Sequence, residues 1–479
     1  MTLLSVLTAL TADWKGNAIE CDYALSVDDA GVLPVNIDPA APEWSLPMSA
    51  QSVTIVATPT VQTFWPTTVT FAVGADGRLT PDADSAPWVT INDVAVPGTV
   101  ATKASIVVSR FKDVSVDVIT EFDNVPVTRQ GKPAKVRKDY EERYGSWPPP
   151  DLDLVDRPGV NFLDLPVPAQ GVSFSPDTTV HVKAENVVLQ LAGVVAPKLW
   201  GVSWPESIER KDGAEATSFL VFLRQGNAQY IGSFFAGDGQ SAYPINFDYV
   251  TFGYFDDMAY PDPDVFNQPG SKGVPYQAAK AGAAVVTVHP VNSLNEDFGV
   301  IESTKQLGRI LLELQQFMFR TSGVAAPPKT LGKAALASFS SGTHILARML
   351  ARSDNLAESF LGSDVNAVYF LDAPEWSVTD CVTAALAWAG PPESDRRVRF
   401  YTQSLWNPLK KLFPAPLPTP PFITSTTLRT LGYIPTPSWV PIVKAEINVT
   451  LPDNQVWQYA HHAIAATMLT HALSQGDFT

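Results

Sequence analysis

The sequence predicts a two-part protein, in which an N-terminal all-β, sandwich-like module precedes an α/β domain with a mostly parallel, doubly wound sheet. Two patterns along the 479 residues support this. Short segments of alternating apolar and polar residues fill the first part, which is typical of half-buried antiparallel strands. After about Ser218, near-continuous apolar segments alternate with helical segments, which indicates a parallel sheet covered on both faces.

The N-terminal strands are predicted from side chains that alternate between two faces. Val69, Phe71 and Val73 alternate with Thr70 and Ala72 in the segment TVTFAVGADGR, which ends in a turn. The segments KDVSVDVITEF, QSVTIVAT, WVTINDVAV and ASIVVSRF show similar short runs. The start of the chain, MTLLSVLTALTADWKG, lacks a basic leading region, so we expect a strand or short helix there rather than a signal peptide.

A polar passage separates the two parts. It is basic from Lys132 to Lys138 and continues to the three prolines at positions 148–150, a composition typical of a linker or extended crossing. We therefore expect the β-rich module and linker in residues 1–150 and the second domain, with long insertions, in residues 151–479.

The second part contains five clear apolar strands with helices between them. The predicted strands are SFLVFLRQG, AGAAVVTVHPV, KAALASFS, NAVYFLDAP and RRVRFYTQS. The predicted helix STKQLGRILLELQQFMFR starts with a capping box at Ser303 and Gln306. Its apolar face comprises Leu307, Ile310, Leu311, Leu314 and Phe317.

Polar residues just beyond the strands are the candidates for chemistry, because sites in such sheets form at the carboxyl ends of the strands. They are Gln225, His289, Ser340 and Asp372, and His461 and His462 begin the last helical segment. Ser340 has Ser338 two residues before it and Gly342 two residues after it. Small residues there permit a sharp strand-to-helix turn that exposes the hydroxyl and points the Ser341 N–H toward a developing oxyanion.

From about Val180 onward, the turn SFSSG, the segment YFLDAP and the late histidines resemble the α/β-hydrolase superfamily of serine esterases and lipases. The resemblance implies an α/β-hydrolase domain in which Ser340 is the nucleophile, Asp372 the orienting acid, and His461 or His462 the base. It also implies an oxyanion hole formed by the N–H of Ser341 and that of Gln225 or Gly226. The first small residue of the turn is Ser338, where the commoner pattern has glycine.

Each of these residues also has a structural interpretation. Asp372 is suited to capping the turn before Pro374, and the histidine pair is suited to a polar helix start. His289 is expected to make a structural hydrogen bond, and His344 to lie on a helix surface. Four aspartates of a long insertion, Asp256, Asp257, Asp262 and Asp264, lack calcium-binding spacing and are interpreted as solvated carboxylates.

Composition excludes several classes of partner. The chain has 33 basic and 49 acidic side chains, a net charge of −16, so a nucleic-acid partner is not expected. No apolar run approaches the length of a membrane span. The two cysteines, Cys21 and Cys381, have no zinc or redox spacing and are expected to be free buried thiols, with a long-range disulfide as the alternative. The sequence predicts neither a metal nor a cofactor.

The functional prediction is a serine hydrolase that cleaves a small-molecule or polymeric carboxylic ester through a Ser-His-Asp triad and an acyl-enzyme. Two alternatives remain at this point. One is a non-catalytic binding or structural protein built on a hydrolase-like scaffold, and the other is an acyltransferase. The sequence leaves the substrate, the oligomeric state and the cellular compartment open.

Overall fold

The fold is taken from a computed structural model of the chain. It describes residues 5–28, 30–32, 41–47, 49–96, 99–114, 128–129, 132–133, 184–195, 197–224, 231–234, 243–246, 274–290, 298–352, 360–374, 376–390, 395–401, 422–423, 431–432, 469, 472–474 and 476–478.

Nine N-terminal strands form two sheets over one apolar core. In chain order they are β1 (Ser5–Ala12), β2 (Cys21–Val27), β3 (Ala30–Val32), β4 (Glu43–Leu46), β5 (Ser52–Pro59), β6 (Thr67–Val73), β7 (Leu79–Pro81), β8 (Val89–Val96) and β9 (Thr99–Val107). One sheet has the order β4-β1-β9-β8 and the other the order β3-β2-β5-β6-β7. All pairings are antiparallel except that of β1 with β9.

The alternation seen in the sequence sorts the N-terminal side chains as expected. Val69 and Phe71 of β6 are fully buried, and they meet Val53 and Ile55 of β5 in the same cluster. The other sheet contributes inward-facing residues such as Trp44, which is fully buried. The core therefore lies between the two sheets, because each strand directs every second side chain to it.

The remaining strands build one large sheet and three small pairs. They are β10 (Phe111–Asp113), β11 (Thr128–Arg129), β12 (Lys132–Pro133), β13 (Ala184–Leu191), β14 (Leu199–Pro205), β15 (Phe219–Arg224), β16 (Ile231–Phe234), β17 (Tyr243–Asn246), β18 (Val286–Pro290), β19 (Ala334–Phe339), β20 (Val365–Leu371), β21 (Arg397–Tyr401), β22 (Phe422–Ile423) and β23 (Leu431–Gly432). The large sheet has the order β10-β13-β14-β18-β15-β19-β20-β21. The strands β11 and β12, β16 and β17, and β22 and β23 pair separately.

The large sheet is mixed. Strands β18, β15, β19, β20 and β21 run parallel to one another, whereas β10, β13 and β14 join the sheet through antiparallel pairings. All six residues of β19 are buried, so both of its faces are covered.

The main helices are α1 (Val274–Lys280), α2 (Thr304–Thr321), α3 (Gly342–Ala351) and α4 (Val378–Ala389). The predicted apolar face of α2 is confirmed, since the five residues predicted for it are buried in the core of the large sheet. Ser303 is the N-cap of α2, but its side chain makes no capping hydrogen bond, so the capping-box prediction is wrong. Short 3₁₀ turns lie at Ala86–Trp88 and Gly299–Glu302, and a π turn at Phe360–Asp364.

The predicted fold class, an α/β-hydrolase domain with a mostly parallel doubly wound sheet after an N-terminal module, is wrong, and so is the resemblance from which it came. Strands outweigh helices among the described residues, and they fall into several mixed or antiparallel sheets. The prediction treated apolar runs as parallel strands joined by crossover helices. Strands β13 and β14 are also apolar, but they pair antiparallel to each other. Burial on both faces produces the same apolar pattern in parallel and antiparallel strands, so the pattern does not reveal strand direction.

The strand predicted near the start of the chain is confirmed. The apolar start forms strand β1 rather than a helix. The expected boundary near residue 150 lies outside the described residues, so the division into 1–150 and 151–479 stays a prediction.

Candidate functional site

Ser340 lies where the interior strand β19 of the large sheet turns into helix α3. Its φ is +55°, in the left-handed region that non-glycine residues rarely occupy. Its backbone N–H donates to the carbonyl of Leu371 on the neighbouring strand at 3.0 Å. Ser340 is half-buried, whereas the strand before it is fully buried. The hydroxyl therefore sits at the surface end of a rigid element.

The turn at Ser340 is held by short-range hydrogen bonds. The Ser340 carbonyl accepts from the backbone N–H of Thr343 at 3.0 Å and from the Thr343 hydroxyl at 2.6 Å. Ser338 is fully buried, and its hydroxyl donates to the carbonyl of Tyr369 at 3.4 Å. Gly342 is also buried. Small residues on both sides of Ser340 thus let the strand and the helix approach closely, as the sequence predicted.

Asp372 occupies the equivalent position on the next strand. It follows β20, has a φ of +48°, and donates its backbone N–H to the carbonyl of Tyr401 at 2.7 Å. Phe339 pairs in register with Leu371, which pairs with Tyr401. Ser340 and Asp372 are each one residue beyond that row, on strands that neighbour each other at a spacing of about 4.8 Å. The structure therefore brings these two predicted residues together.

Asp372 is almost completely buried, with 2% of its surface exposed. An orienting acid must be buried within reach of the base, since a carboxylate away from water interacts more strongly with its partner, and Asp372 meets the burial requirement. The turn-capping interpretation is compatible with the same backbone geometry, so the backbone alone does not separate the two roles.

Ser341 is the N-cap of helix α3 and has helical dihedrals, φ −62° and ψ −20°. Within the described part of the chain, its backbone N–H has no hydrogen-bond acceptor. The first N–H groups of a helix lack intrahelical partners and lie at the positive end of the helix dipole. An oxyanion formed beside Ser340 would meet a donor of this kind.

The other predicted site residues lie outside the described residues. These are the two candidate bases, His461 and His462, and the two candidates for the second oxyanion donor, Gln225 and Gly226. Strand β15, which precedes Gln225, ends at Arg224 opposite Phe339 of β19. In the sequence, Gln225 directly follows the residue that pairs with Phe339, as Ser340 directly follows Phe339.

His344 is more closely connected to this site than the sequence indicated. It lies in the first turn of α3, four residues after Ser340, and is half-buried rather than on an open helix surface. Its ring centroid is 5.1 Å from that of Trp376, whose side chain is 66% exposed. Among the described residues, its Nδ1 atom is buried without a hydrogen-bond partner. The four-residue spacing from Ser340 was the only sequence signal for this position.

His289 has the structural role that was expected. It is buried on β18, and its Nδ1 atom is 3.0 Å from the carbonyl oxygen of Phe222 on the adjacent strand β15. This contact joins the two strands one residue beyond the paired residues Val221 and Val288.

A buried ionic cluster underlies the site. Arg399 on β21 donates to both carboxylate oxygens of Asp477, at 2.7 and 3.1 Å, and the Tyr369 hydroxyl donates to the same carboxylate at 2.7 Å. Burial and the nearby Asp477 carboxylate hold the pKa of Tyr369 well above its ordinary value. The C-terminal segment is thereby attached to β20, the strand that precedes Asp372, and to its neighbour β21.

Both cysteines are free and buried, so the thiol prediction is confirmed. Burial raises the pKa of Cys381, on α4, to about 12, and also raises that of Cys21. These thiols are protonated at neutral pH and are unsuited to nucleophilic chemistry.

Metal and membrane sites have no support among the described residues. No group of three or more His, Cys, Asp or Glu side chains there is arranged to hold a metal ion. The aspartates at positions 256, 257, 262 and 264 lie outside the described residues. No helix in the described ranges has both the length and the apolar character that a membrane crossing requires.

Comparisons with known proteins give no family. No protein-family model matches the sequence, and no curated protein matches it. Among solved structures, a pilus adhesin of Streptococcus pneumoniae aligns with 70% of this chain at 10% identity and a TM-score of 0.14. The chain spans 42% of that adhesin's length. At this TM-score the likeness establishes neither fold nor function.

Proposed function

We propose that this protein is a serine hydrolase that cleaves carboxylic esters, with Ser340 as the nucleophile. The observation that carries the proposal is the left-handed backbone of Ser340 at the end of a buried interior strand. A non-glycine residue pays about 1–2 kcal/mol for this conformation. Such strain is concentrated at functional sites, where the surrounding structure holds it in place.

Asp372 supports the same proposal, because it repeats this geometry on the adjacent strand. Three non-glycine residues in the described ranges have a positive φ, namely Asp28, Ser340 and Asp372. Asp28 is explained by a turn in which its carboxylate accepts the backbone N–H groups of Gln51 and Ser52. The other two lie at the carboxyl ends of adjacent strands of the large sheet, and they combine a hydroxyl with a buried carboxylate.

In the proposed reaction, the Ser340 Oγ attacks the ester carbonyl carbon while His461 or His462 accepts its proton. The N–H of Ser341, with that of Gln225 or Gly226, stabilises the negative oxygen of the tetrahedral intermediate. The intermediate collapses, and the alcohol leaves with the proton from the histidine. Water then attacks the acyl-enzyme with the same histidine as base, which releases the acid and restores the Ser340 hydroxyl.

Esters are proposed as the substrate class because apolar surface adjoins the serine. The exposed Trp376 indole packs against His344, one helical turn from Ser340. The segment from residue 405 to 441, of which the structure describes only residues 422–423 and 431–432, is rich in aromatic residues and prolines. Transfer of an apolar acyl or alcohol group from water to such a surface is favourable.

The test is labelling of the full chain with a fluorophosphonate, together with hydrolysis of short- and medium-chain nitrophenyl esters. We expect the wild type to be labelled and active, and Ser340→Ala to be neither. Ser341→Ala is the matched control, since it removes a neighbouring hydroxyl and keeps the backbone N–H. Single His461→Ala and His462→Ala variants identify the base.

Persistent labelling of Ser340→Ala would remove Ser340 as the nucleophile. A wild type that is neither labelled nor active would favour a non-catalytic binding or structural role. An acyltransferase would be recognised by transfer of the acyl group to an added alcohol in preference to water.

A further inference from the structure

A cavity of about 580 Å³ lies between the N-terminal sheets and the edge of the large sheet, away from Ser340. Trp65 and Trp88 line it from the N-terminal side, and Phe317 of α2 lines it from the other. Its volume is in the range of small-molecule sites, about 300–1,000 Å³. The cavity is open to a ligand independently of the proposed ester chemistry.

Both indole rings of the cavity are held in position. The Trp65 Nε1–H donates to the carbonyl of Gln190 at 3.2 Å, and its backbone N–H donates to that of Ser109 at 2.8 Å. The Trp88 ring lies 5.8 Å from that of Phe317 and 6.0 Å from the guanidinium of Arg320. Each ring is half-buried, so it still offers surface to a ligand. Aromatic walls fixed in advance reduce the entropy lost on binding.

The polar groups around these rings can both accept and donate hydrogen bonds. Asp84 and Asp113 contribute exposed carboxylates, and the Lys112 Nζ lies 5.8 Å from the centroid of the Trp65 ring. Hydroxyl groups of Thr67 and Thr68 complete this side. Two carboxylates and one ammonium give a lining that disfavours phosphates and other strong anions. A wholly apolar ligand would strip water from these groups without replacing their hydrogen bonds.

A saccharide satisfies both sets of groups. One face of a pyranose ring carries C–H groups that stack on an indole, while its edge carries hydroxyl groups that donate to carboxylates and accept from an ammonium group. We propose that this cavity binds a neutral saccharide, with one sugar ring stacked on Trp65 and its hydroxyl groups bonded to Asp84 and Asp113. The site would make the protein a carbohydrate binder through its N-terminal half.

The experiment measures binding of cello-, chito-, xylo- and manno-oligosaccharides to the full chain, first on an immobilised panel and then by titration calorimetry. We expect at least one of these to bind the wild type. Trp65→Ala should weaken binding by about tenfold, or about 1.4 kcal/mol, because the sugar loses the aromatic ring on which it stacks. Trp65→Phe keeps a ring to stack on and should retain most of the affinity.

Asp84→Asn provides a second variant at an exposed position, where loss of folding is not expected, and it should also weaken binding. Asp76→Asn is its matched control, because Asp76 is an exposed carboxylate of the same half, paired with Arg78 and outside the cavity. Trp376→Ala is the control for removal of an exposed indole elsewhere. Circular dichroism and thermal melts establish that each variant is folded.

The proposal is overturned if none of the four oligosaccharide classes binds, or if binding is the same in Trp65→Ala and Asp84→Asn as in the wild type. Binding of the aromatic dye 8-anilinonaphthalenesulfonate in the cavity, together with no binding of any oligosaccharide, would also overturn it. Ser340→Ala should bind oligosaccharides like the wild type, so failure of the ester-hydrolase proposal is distinguishable from failure of this one.

Discussion

Ser340 and Asp372 occupy the same level at the carboxyl ends of adjacent parallel strands, and both have left-handed backbones, with φ of +55° and +48°. Their backbone N–H groups follow the same rule, since each donates to the last residue of the next strand, Leu371 or Tyr401. The two strained residues therefore lie at neighbouring positions where the parallel strands of the large sheet end.

The backbone of Ser340 should be strained enough to measure. We expect Ser340→Gly to have a free energy of unfolding about 1 kcal/mol higher than Ser340→Ala, because glycine adopts a positive φ without a Cβ clash. Urea denaturation of the two variants provides the measurement. At Ser341, where φ is −62°, the same comparison should favour alanine. Equal stabilities of the two Ser340 variants would mean that the turn carries no strain.

Asp372 should matter for activity more than for stability. Asparagine tolerates a left-handed backbone, so Asp372→Asn should fold normally. If Asp372 orients the base, the rate of nitrophenyl ester hydrolysis should fall by roughly 10²- to 10⁴-fold, because the amide no longer stabilises a positively charged histidine. Asp380→Asn, an exposed carboxylate in the first turn of α4, should leave the rate unchanged. A normal rate in Asp372→Asn would support the turn-capping role instead.

The Arg399–Asp477 pair should anchor the C-terminal segment. Both side chains are nearly inaccessible, at 5% and 1% exposure, so Arg399→Met leaves a buried carboxylate without its charge partner. We expect a loss of about 3–5 kcal/mol in the free energy of unfolding. Arg348→Met, which removes a half-exposed partner of Glu302, should cost less than about 1 kcal/mol. Comparable losses in the two variants would argue against the anchoring role.

The two thiols should be hidden in the folded protein. Burial raises the pKa of Cys381 to about 12, so its thiolate is scarce at pH 8. Dithionitrobenzoate should therefore detect no rapidly reacting thiol in the native protein and two after unfolding in guanidinium. Because the pKa of Cys381 is higher in the folded state than in the unfolded state, the protonated thiol contributes to the free energy of unfolding. That contribution is complete below the unfolded thiol's pKa of about 8.5 and is lost as pH rises toward 12. Rapid reaction of either thiol in the native state would contradict the burial.

Local patterns in the sequence located the elements near the candidate site well. The small residues Ser338 and Gly342 around Ser340 predicted the sharp turn, and the observed positive φ agrees with that reasoning. The apolar face of α2 and the alternation in β6 were also recovered. These features depend on neighbours within a few residues, where steric and periodic rules act directly.

The direction and partners of strands could not be obtained in the same way. Strand β18 lies between β14 and β15, and β10 joins β13 across a long stretch of sequence. The network of Tyr369, Arg399 and Asp477 joins residues 78 to 108 positions apart. Such contacts depend on which apolar faces meet in the folded chain, and apolar composition alone does not specify the partner.

By itself, the sequence determined the acidic character, the β-rich first part, the amphipathic helix α2 and the turn around Ser340, because composition, periodicity and local sterics act along the chain. Only the tertiary structure decided that the large sheet is mixed, that Asp372 is buried beside Ser340, and that Trp65 and Trp88 share one cavity. Those outcomes depend on long-range packing, in which many side chains must be buried together before any one of them has a defined neighbour.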